Sequence, residues 1–415
     1  MRKAVIVVAV ILSLLIATAV LIRSSRAPQL VFNDADLRPV RAEISAQSNG
    51  FSLLLEAGNS LVVSKNEEVA LSGLGNGSSW DEVEAERILS ANEGSLTALH
   101  KAWSCKHLQV DAGTNYVERF PYLREWRWLA YLALTEARVS FHSGNERQAF
   151  DRAMEVVRFG HRVEECKGGT LHYLVGSAIK SQGLQCIRQF AGDTGLPAGT
   201  LVSVAKQLAG FEASQDGLRE ALKVEYATQA DMFDGLTANF ITNSSGQAIP
   251  APRFVYSATK SKSALAAQIR LTMTAMTNCY ATGLKAIPTA RTNVSTFWLL
   301  LRGNAVGTIL NEMSLSSREK ILTHKCRENV SSRATRVVLA LRAFQMTNRR
   351  NPQSLEELLP DFLEAIPLDD FDSKPLRYSP NSKVVYSVGD NLTDEGGVQS
   401  TNRLNAADLV FGFNF

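Results

Sequence analysis

The stretch that most restricts the fold runs from Leu123 to Glu165. LREWRWLAYLALTEARVSFHSG reads as one helix, Gly144-Asn145 interrupts it, and ERQAFDRAMEVVRFGHRVEE reads as a second. Small residues recur at helical spacing, Ala130, Ala133 and Ala137 and then Ala149 and Ala153, while Trp126, Leu129 and Tyr131 supply bulk. Residues three and four apart share a helix face. Small positions on both helices therefore let two antiparallel rods approach closely about a short turn. TLHYLVGSAIKSQGLQCIRQF, GTLVSVAKQLAGF and DGLREALKVEYATQADMF continue this texture. The expectation is a mainly α body of stacked antiparallel helices.

Several boundaries flank that core. Residues 27 to about 45 read as a polar linker. GFSLLLEAGNSL reads as a short amphipathic helix with Phe51, Leu54, Leu55 and Leu61 turned inward. GLGNGSS, Gly73 to Ser79, reads as a loop, and SSWDEVEAERILSANEGSLTALHKAW as a single helix capped by Ser79 or Asp81, with acids in the first turn where the helix dipole favours them. TANFITNSSGQAIPAPRF, residues 237–254, is rich in Asn, Ser, Gly and Pro and marks a break. Helix resumes from Tyr256 toward Tyr280. Leu301 to Met313 is a glycine-interrupted apolar segment, too short to span a bilayer.

The N-terminus sets an address. After Met1-Arg2-Lys3, nineteen residues from Ala4 to Ile22 carry no charge. At 1.5 Å per residue such a helix nearly spans a hydrocarbon core of about 30 Å. Ala17-Thr18-Ala19 offers a signal-peptidase site, but apolar residues continue beyond it, which favours an uncleaved anchor over residues 1–26. Arg2 and Lys3 are balanced by Arg23 and Arg26, so charge scarcely decides orientation. A short N-terminus before a large body places that body on the periplasmic side of a single-pass inner-membrane protein. The whole chain carries 44 basic and 41 acidic residues for a net charge of +3. That balance argues against a nucleic-acid partner. Five cysteines, none in a CxxC, leave both disulfides and buried free thiols open.

The texture changes after Asn351-Pro352. A strong helix, SSRATRVVLALRAFQMT, presents Ala334, Val337, Val338, Leu341 and Phe344 as one stripe. Leu376 and Tyr378 alternate, as do Val384, Tyr386 and Val388, around Pro380-Asn381-Ser382, which predicts a β-hairpin. Leu409, Phe411, Phe413 and Phe415 predict a closing strand. Between them lies SVGDNLTDEGG, an acidic, glycine-rich loop.

Together, SLEELLPDFLEAIPLDDFDSKPLRY, VVYSVGDNLTDEGG and ADLVF resemble the C-terminal globular part of the major pseudopilins of type II secretion, where a segment of the form LP…IP.DPF.GKPL.Y leads into a YS.G.DG..DGG loop. The likeness covers about residues 332–411. The helical middle resembles a group of membrane-anchored bacterial envelope proteins of unassigned function that carry the same tail, and its hairpins resemble the tetratricopeptide type without the full signature. The pseudopilin resemblance implies a calcium site in the loop: the Val388 carbonyl, Asp394 and Asp408, with Asn391 where an Asp is common and Asp390 or Glu395 compensating. Calcium takes six to eight oxygens, which such a loop can wrap. One departure matters. A pseudopilin joins its processing motif and apolar helix directly to this domain, whereas here some 310 residues intervene. GFSLLLEAGNSL is no substitute, because Glu56 stands sixth after Gly50 rather than fifth.

Motifs for chemistry are sparse elsewhere. None of His100, His107, His142, His161, His172 and His324 forms HExxH or a di-iron Glu-x-x-His pattern. Cys105-Lys-His107 lacks a second ligand pair. There is no GxSxG, Walker loop or dinucleotide fingerprint. His161 with Glu164-Glu165 reads as a solvated helix face, and Arg327, Arg333, Arg336, Arg342, Arg349 and Arg350 as the wet side of a helix. The sequence thus predicts an anchor (1–26), an α-helical body (27–330) and a small α+β pseudopilin-like tail (331–415). It favours a non-catalytic envelope scaffold or interaction protein. The alternatives are a type II secretion component docking through its tail, and an enzyme whose groups meet only in three dimensions.

Overall fold

The computed structural model describes residues 32–111, 120–238, 241–242, 248–249, 255–287, 304–398 and 408–415. The apolar segment Ala4–Ile22 lies outside them, and among the described residues no helix is long and apolar enough to cross a membrane. The chain is mainly helical and carries a small three-stranded antiparallel sheet near its C-terminus.

Four short helices come first: α1 (Phe51–Asn59), α2 (Lys65–Asn76), α3 (Glu82–Ala91) and α4 (Glu93–Ser104). Two expectations fail here. Gly73 to Asn76 belong to α2, and only Gly77, in the left-handed region at φ 76°, ends it. Packing overrides propensity, because a β-carbon on Gly75 would lie 2.8 Å from the Tyr131 carbonyl oxygen, so glycine is what lets α2 seat on the later helix that carries Tyr131. The segment 80–104 is also two helices. The buried Asn92 divides them, its amide accepting from the Val62 N–H at 2.8 Å and donating to the Val62 carbonyl at 3.1 Å. Asp81, not Ser79, caps α3, accepting from the Glu84 N–H at 3.0 Å.

The predicted hairpin forms as α5 (Tyr122–His142) and α6 (Glu146–Glu164), and α7 (Thr170–Asp193) continues it. Trp126, Leu129, Ala130, Ala133, Ala137, Ala149 and Ala153 are all fully buried. Each large side chain among them contributes about 1.5–3 kcal/mol by leaving water. Glycine brings α6 and α7 closest: a β-carbon on Gly160 would lie 2.4 Å from the Lys180 nitrogen and 2.5 Å from the Gly176 carbonyl oxygen.

Next come α8 (Ala198–Leu208), α9 (Gln215–Ala238), a two-residue ribbon of β1 (Ile241–Thr242) and β2 (Ala248–Ile249), then α10 (Ala258–Met276), α11 (Tyr280–Ala286) and α12 (Ala305–Met313). The break expected at 237–254 begins where α9 ends, and the rest of it lies mostly outside the described residues.

Helix α13 (Leu315–Asn348) has 34 residues and organises the rest. Its length is about 51 Å. The predicted stripe is buried, and so are Leu339, Ala340 and Ala343. Leu339 and Ala343 join the core of α5–α8, whereas Ala334, Val337, Val338, Leu341 and Phe344 join a second core with Leu358, Phe371, Val385 and Phe413. A helix that gives apolar side chains to two cores lies between them. Residue 331 falls within α13, so body and tail share one element.

The tail sheet is β3 (Arg377–Ser379), β4 (Val384–Ser387) and β5 (Leu409–Gly412), in the order β3-β4-β5. Ser379 faces Val384 across the predicted hairpin, and Tyr386 faces Val410 across the closing pair. Every residue of β4 is buried, where alternation was expected. Its second face is closed by the end of the acidic loop, since Gly397 sits directly against Val384 and Tyr386.

Candidate functional site

The acidic loop is the site the sequence points to, and the structure divides it. Asp390 pairs with Arg327 at 3.3 Å. Asp394 lies 3.4 Å from the Arg377 guanidinium and accepts from the Gly396 N–H at 3.0 Å. The Val388 N–H donates to Asp369 at 3.1 Å. The remaining three converge. Asn391 donates to Glu395 at 2.6 Å, Glu395 interacts with Asp408, and Asp408 accepts from the Gly397 N–H at 2.7 Å. The second carboxylate oxygen of Asp408 is buried and, among the described residues, accepts no hydrogen bond from a donor. Burial and the neighbouring Glu395 raise the Asp408 carboxyl above its ordinary range. Among the described residues no group of three or more His, Cys, Asp or Glu side chains is placed to hold a metal. The fit to calcium is thus partial: Asn391, Glu395 and Asp408 are together, and two arginines draw Asp390 and Asp394 away.

Those arginines belong to a larger polar seam. Asp369 is fully buried and accepts four hydrogen bonds, from the Phe371 N–H at 2.9 Å, Ser387 Oγ at 2.8 Å, the Val388 N–H at 3.1 Å and Arg377 at 2.8 Å. Asp370, beside it, reaches α13, taking Lys325 Nζ at 2.8 Å and Asn329 Nδ2 at 2.9 Å. The Asn329 side-chain oxygen Oδ1 accepts from the Ala213 N–H at 2.8 Å. Arg333 forks onto Glu212 at 2.9 and 2.6 Å and reaches Asp370 at 3.5 Å. The α11 N-terminus adds two donors, from Tyr280 to the Asp370 carbonyl at 2.8 Å and from Ala281 to that of Phe371 at 3.0 Å.

The seam continues to its most buried member. Lys180 of α7 is wholly buried, 2.8 Å from Glu164 of α6, in contact with Glu328 of α13 and 3.1 Å from the Glu212 carbonyl. Tyr173 donates to Glu328 at 3.2 Å. Burial and the charge of Glu328 push the Glu164 carboxyl well above its ordinary range. Burial works against the charge on Glu328 too, but Lys180 prevails and holds that carboxyl low. Lys180 stays charged because the two acids outweigh its burial. The group thus sets one cation against two carboxyls, Glu328 held toward its charged form and Glu164 driven toward its protonated form, which can hold three helices in register. His161, 3.4 Å from Glu164, is kept neutral by burial and by Lys180.

Glu164 therefore does not lie on a solvated face, since α7 and α13 cover it. The arginine run is wet only in part: Arg327, Arg349 and Arg350 are exposed, whereas Arg333 and Arg336 face Glu212 and Arg342 lies over the Phe415 ring at 5.3 Å. A charged Lys in the middle of the apolar helix TLHYLVGSAIK was the available signal for this seam. All five cysteines are free, and Cys166, Cys186 and Cys326 are buried, with burial raising the Cys166 thiol to about 12. Comparison with protein families, with curated proteins and with solved structures gives no match.

Proposed function

We propose that the chain is a non-catalytic scaffold of the bacterial envelope, anchored in the inner membrane through Ala4–Ile22, with a tetratricopeptide-like helical body and a pseudopilin-like tail on the periplasmic side. One observation carries this reading: α13 belongs to both cores, and the Asp370 ion pairs tie the tail to it. A tail held rigidly against stacked helices is suited to presenting a surface to a protein partner. The test is affinity capture of the tagged full-length protein from detergent-solubilised membranes. A stoichiometric envelope partner, lost when exposed tail residues are changed, supports the scaffold. Turnover of a substrate by the purified protein overturns it.

A second reading is favoured by the convergence of Glu395 with Asp408, one oxygen of which, among the described residues, accepts no hydrogen bond. In it the tail is a calcium-dependent docking device for the type II secretion apparatus. Calcium would take Asn391, Glu395 and Asp408 first, and the Val388 carbonyl, Asp390 and Asp394 after release from their arginines. A ligand that binds only the folded state raises the melting temperature. Recovery of secretion-apparatus proteins in calcium but not in chelator supports this reading. An unchanged melting temperature in millimolar calcium rejects it.

A further inference from the structure

A cleft of about 410 Å³ opens between α7, α9, α10 and α13, away from the acidic loop. Its walls are apolar, formed by Leu174, Leu222, Ile269 and Ile321. Its size is that of a small-molecule site, which typically combines apolar walls with a few placed polar groups. Two such groups stand in it. Arg318 is 3% exposed, and its guanidinium donates to the Gln268 side chain at 2.6 Å and Ser314 Oγ at 3.1 Å, both neutral. Among the described residues no carboxylate pairs with it. His324 also lines the cleft, and its Nε2 is buried and, among the described residues, has no hydrogen-bond partner.

A buried cation without an anion in contact is costly, and the cost falls when one arrives. The guanidinium has five donors in a planar fork matched to a carboxylate. Glu225, on the α9 wall, acts on Arg318 through its charge but does not touch it: its oxygens are taken by Thr170 at 2.7 Å and by Gln229 at 2.7 Å, which leaves the guanidinium without a contacting carboxylate. Arg318 and Lys320 against Glu225 leave the cleft with one net positive charge while His324 is neutral. Burial holds His324 in that neutral form. We propose that this cleft binds a small monocarboxylate with an apolar body, its head on Arg318 and His324 and its body against Leu222, Ile269 and Ile321.

The probe is 3-phenylpropionate, with 3-phenylpropanol as its uncharged counterpart. Both are titrated calorimetrically into the full chain in lipid nanodiscs, with empty nanodiscs as the blank. The acid is expected to bind saturably with Kd below about 1 mM and the alcohol about tenfold more weakly. Arg318→Gln should bring the acid down to the alcohol, and Ile321→Trp should block both by filling the cleft. Equal affinity of acid and alcohol, no saturable binding of the acid, or binding that Ile321→Trp leaves intact would each overturn the proposal. The comparison of the two ligands on the unaltered chain decides the question even where Arg318→Gln fails to fold.

Discussion

Lys180 and Glu164 meet at 2.8 Å with neither side chain exposed, so α6 and α7 are joined by a charged hydrogen bond that water does not reach. Glu328 completes the group from α13. Removing one member leaves the others buried and unbalanced. Lys180→Met is expected to destabilise the protein by about 3–5 kcal/mol, the range for breaking a buried pair from one side. Adding Glu164→Gln and Glu328→Gln should recover much of that loss, because a neutral seam carries no stranded charge. Denaturant unfolding of the single and triple variants checks this. A triple variant no more stable than Lys180→Met would mean that packing, not charge, is what Lys180 supplies.

His172 makes stability depend on pH. It is buried on α7, accepts or donates to Tyr122 Oη at 2.8 Å, and stands edge-on to Phe120. Burial, helped by Arg41, lowers its pKa to about 4 from the ordinary 6.5. The unfolded chain therefore takes up the proton first as pH falls. The stability linked to His172 is complete above pH 6.5 and is lost as pH drops toward 4. The difference is on the order of 3 kcal/mol. His172→Gln keeps a partner for Tyr122 and removes the titration. Its unfolding free energy should fall less than that of the unaltered chain between pH 6.5 and 4. Parallel curves for the two proteins would count against the depressed pKa.

Much of the body was legible because helical periodicity reports which face is buried. Ala130, Ala133, Ala137, Ala149 and Ala153 announced the α5–α6 contact, and all are in the core. The tail hairpin was visible in the alternation around Pro380-Asn381-Ser382, and the closing strand in that of Leu409 and Phe411, although the strand ends at Gly412, before Phe413 and Phe415. What periodicity cannot report is long-range pairing. Glu164 beside His161 and Glu165 looks like a polar face until α7 and α13 arrive, 16 and 164 residues further on. Glycines mislead for the same reason. Gly73 and Gly75 suggest a loop, yet the close approach of Tyr131 requires a residue without a β-carbon inside α2. The candidate site was legible in composition but not in pairing, since nothing local says that Arg327 and Arg377 will claim Asp390 and Asp394.

The α6–α7 contact makes its own prediction. A β-carbon on Gly160 would fall 2.4 Å from a backbone nitrogen, and backbone cannot step aside as a flexible side chain can. Gly160→Ala must push the helices apart, although alanine is the better helix former by about 1 kcal/mol. Overpacking of this kind costs about 1–3 kcal/mol. The separation also lengthens the Lys180–Glu164 contact. Gly160→Ala should thus lower the melting temperature, while Gly192→Ala, with open space around it, should not. Thermal melts of the two variants distinguish helix approach from helix propensity.

Asp369 offers the most direct test of how the tail is held together. It bears four hydrogen bonds with no exposure, two from backbone N–H groups, one from Ser387 and one from Arg377. Burial pushes its carboxyl above the ordinary range even so, which marks the cost of keeping the charge dry. Asp369→Ala strands the two N–H donors and frees Arg377 to pair with Asp372 and Asp394 alone. The expected loss is about 3–5 kcal/mol. It should be local: Val388 and Ser387 belong to β4, so amide exchange should quicken across β4 and the acidic loop, while α5–α7, in the other core, keep their protection. Asp369→Asn keeps an acceptor oxygen but loses the charge that Arg377 neutralises, and should fall between the two. Uniform acceleration of exchange throughout the chain would show instead that tail and body unfold as one unit, joined through α13.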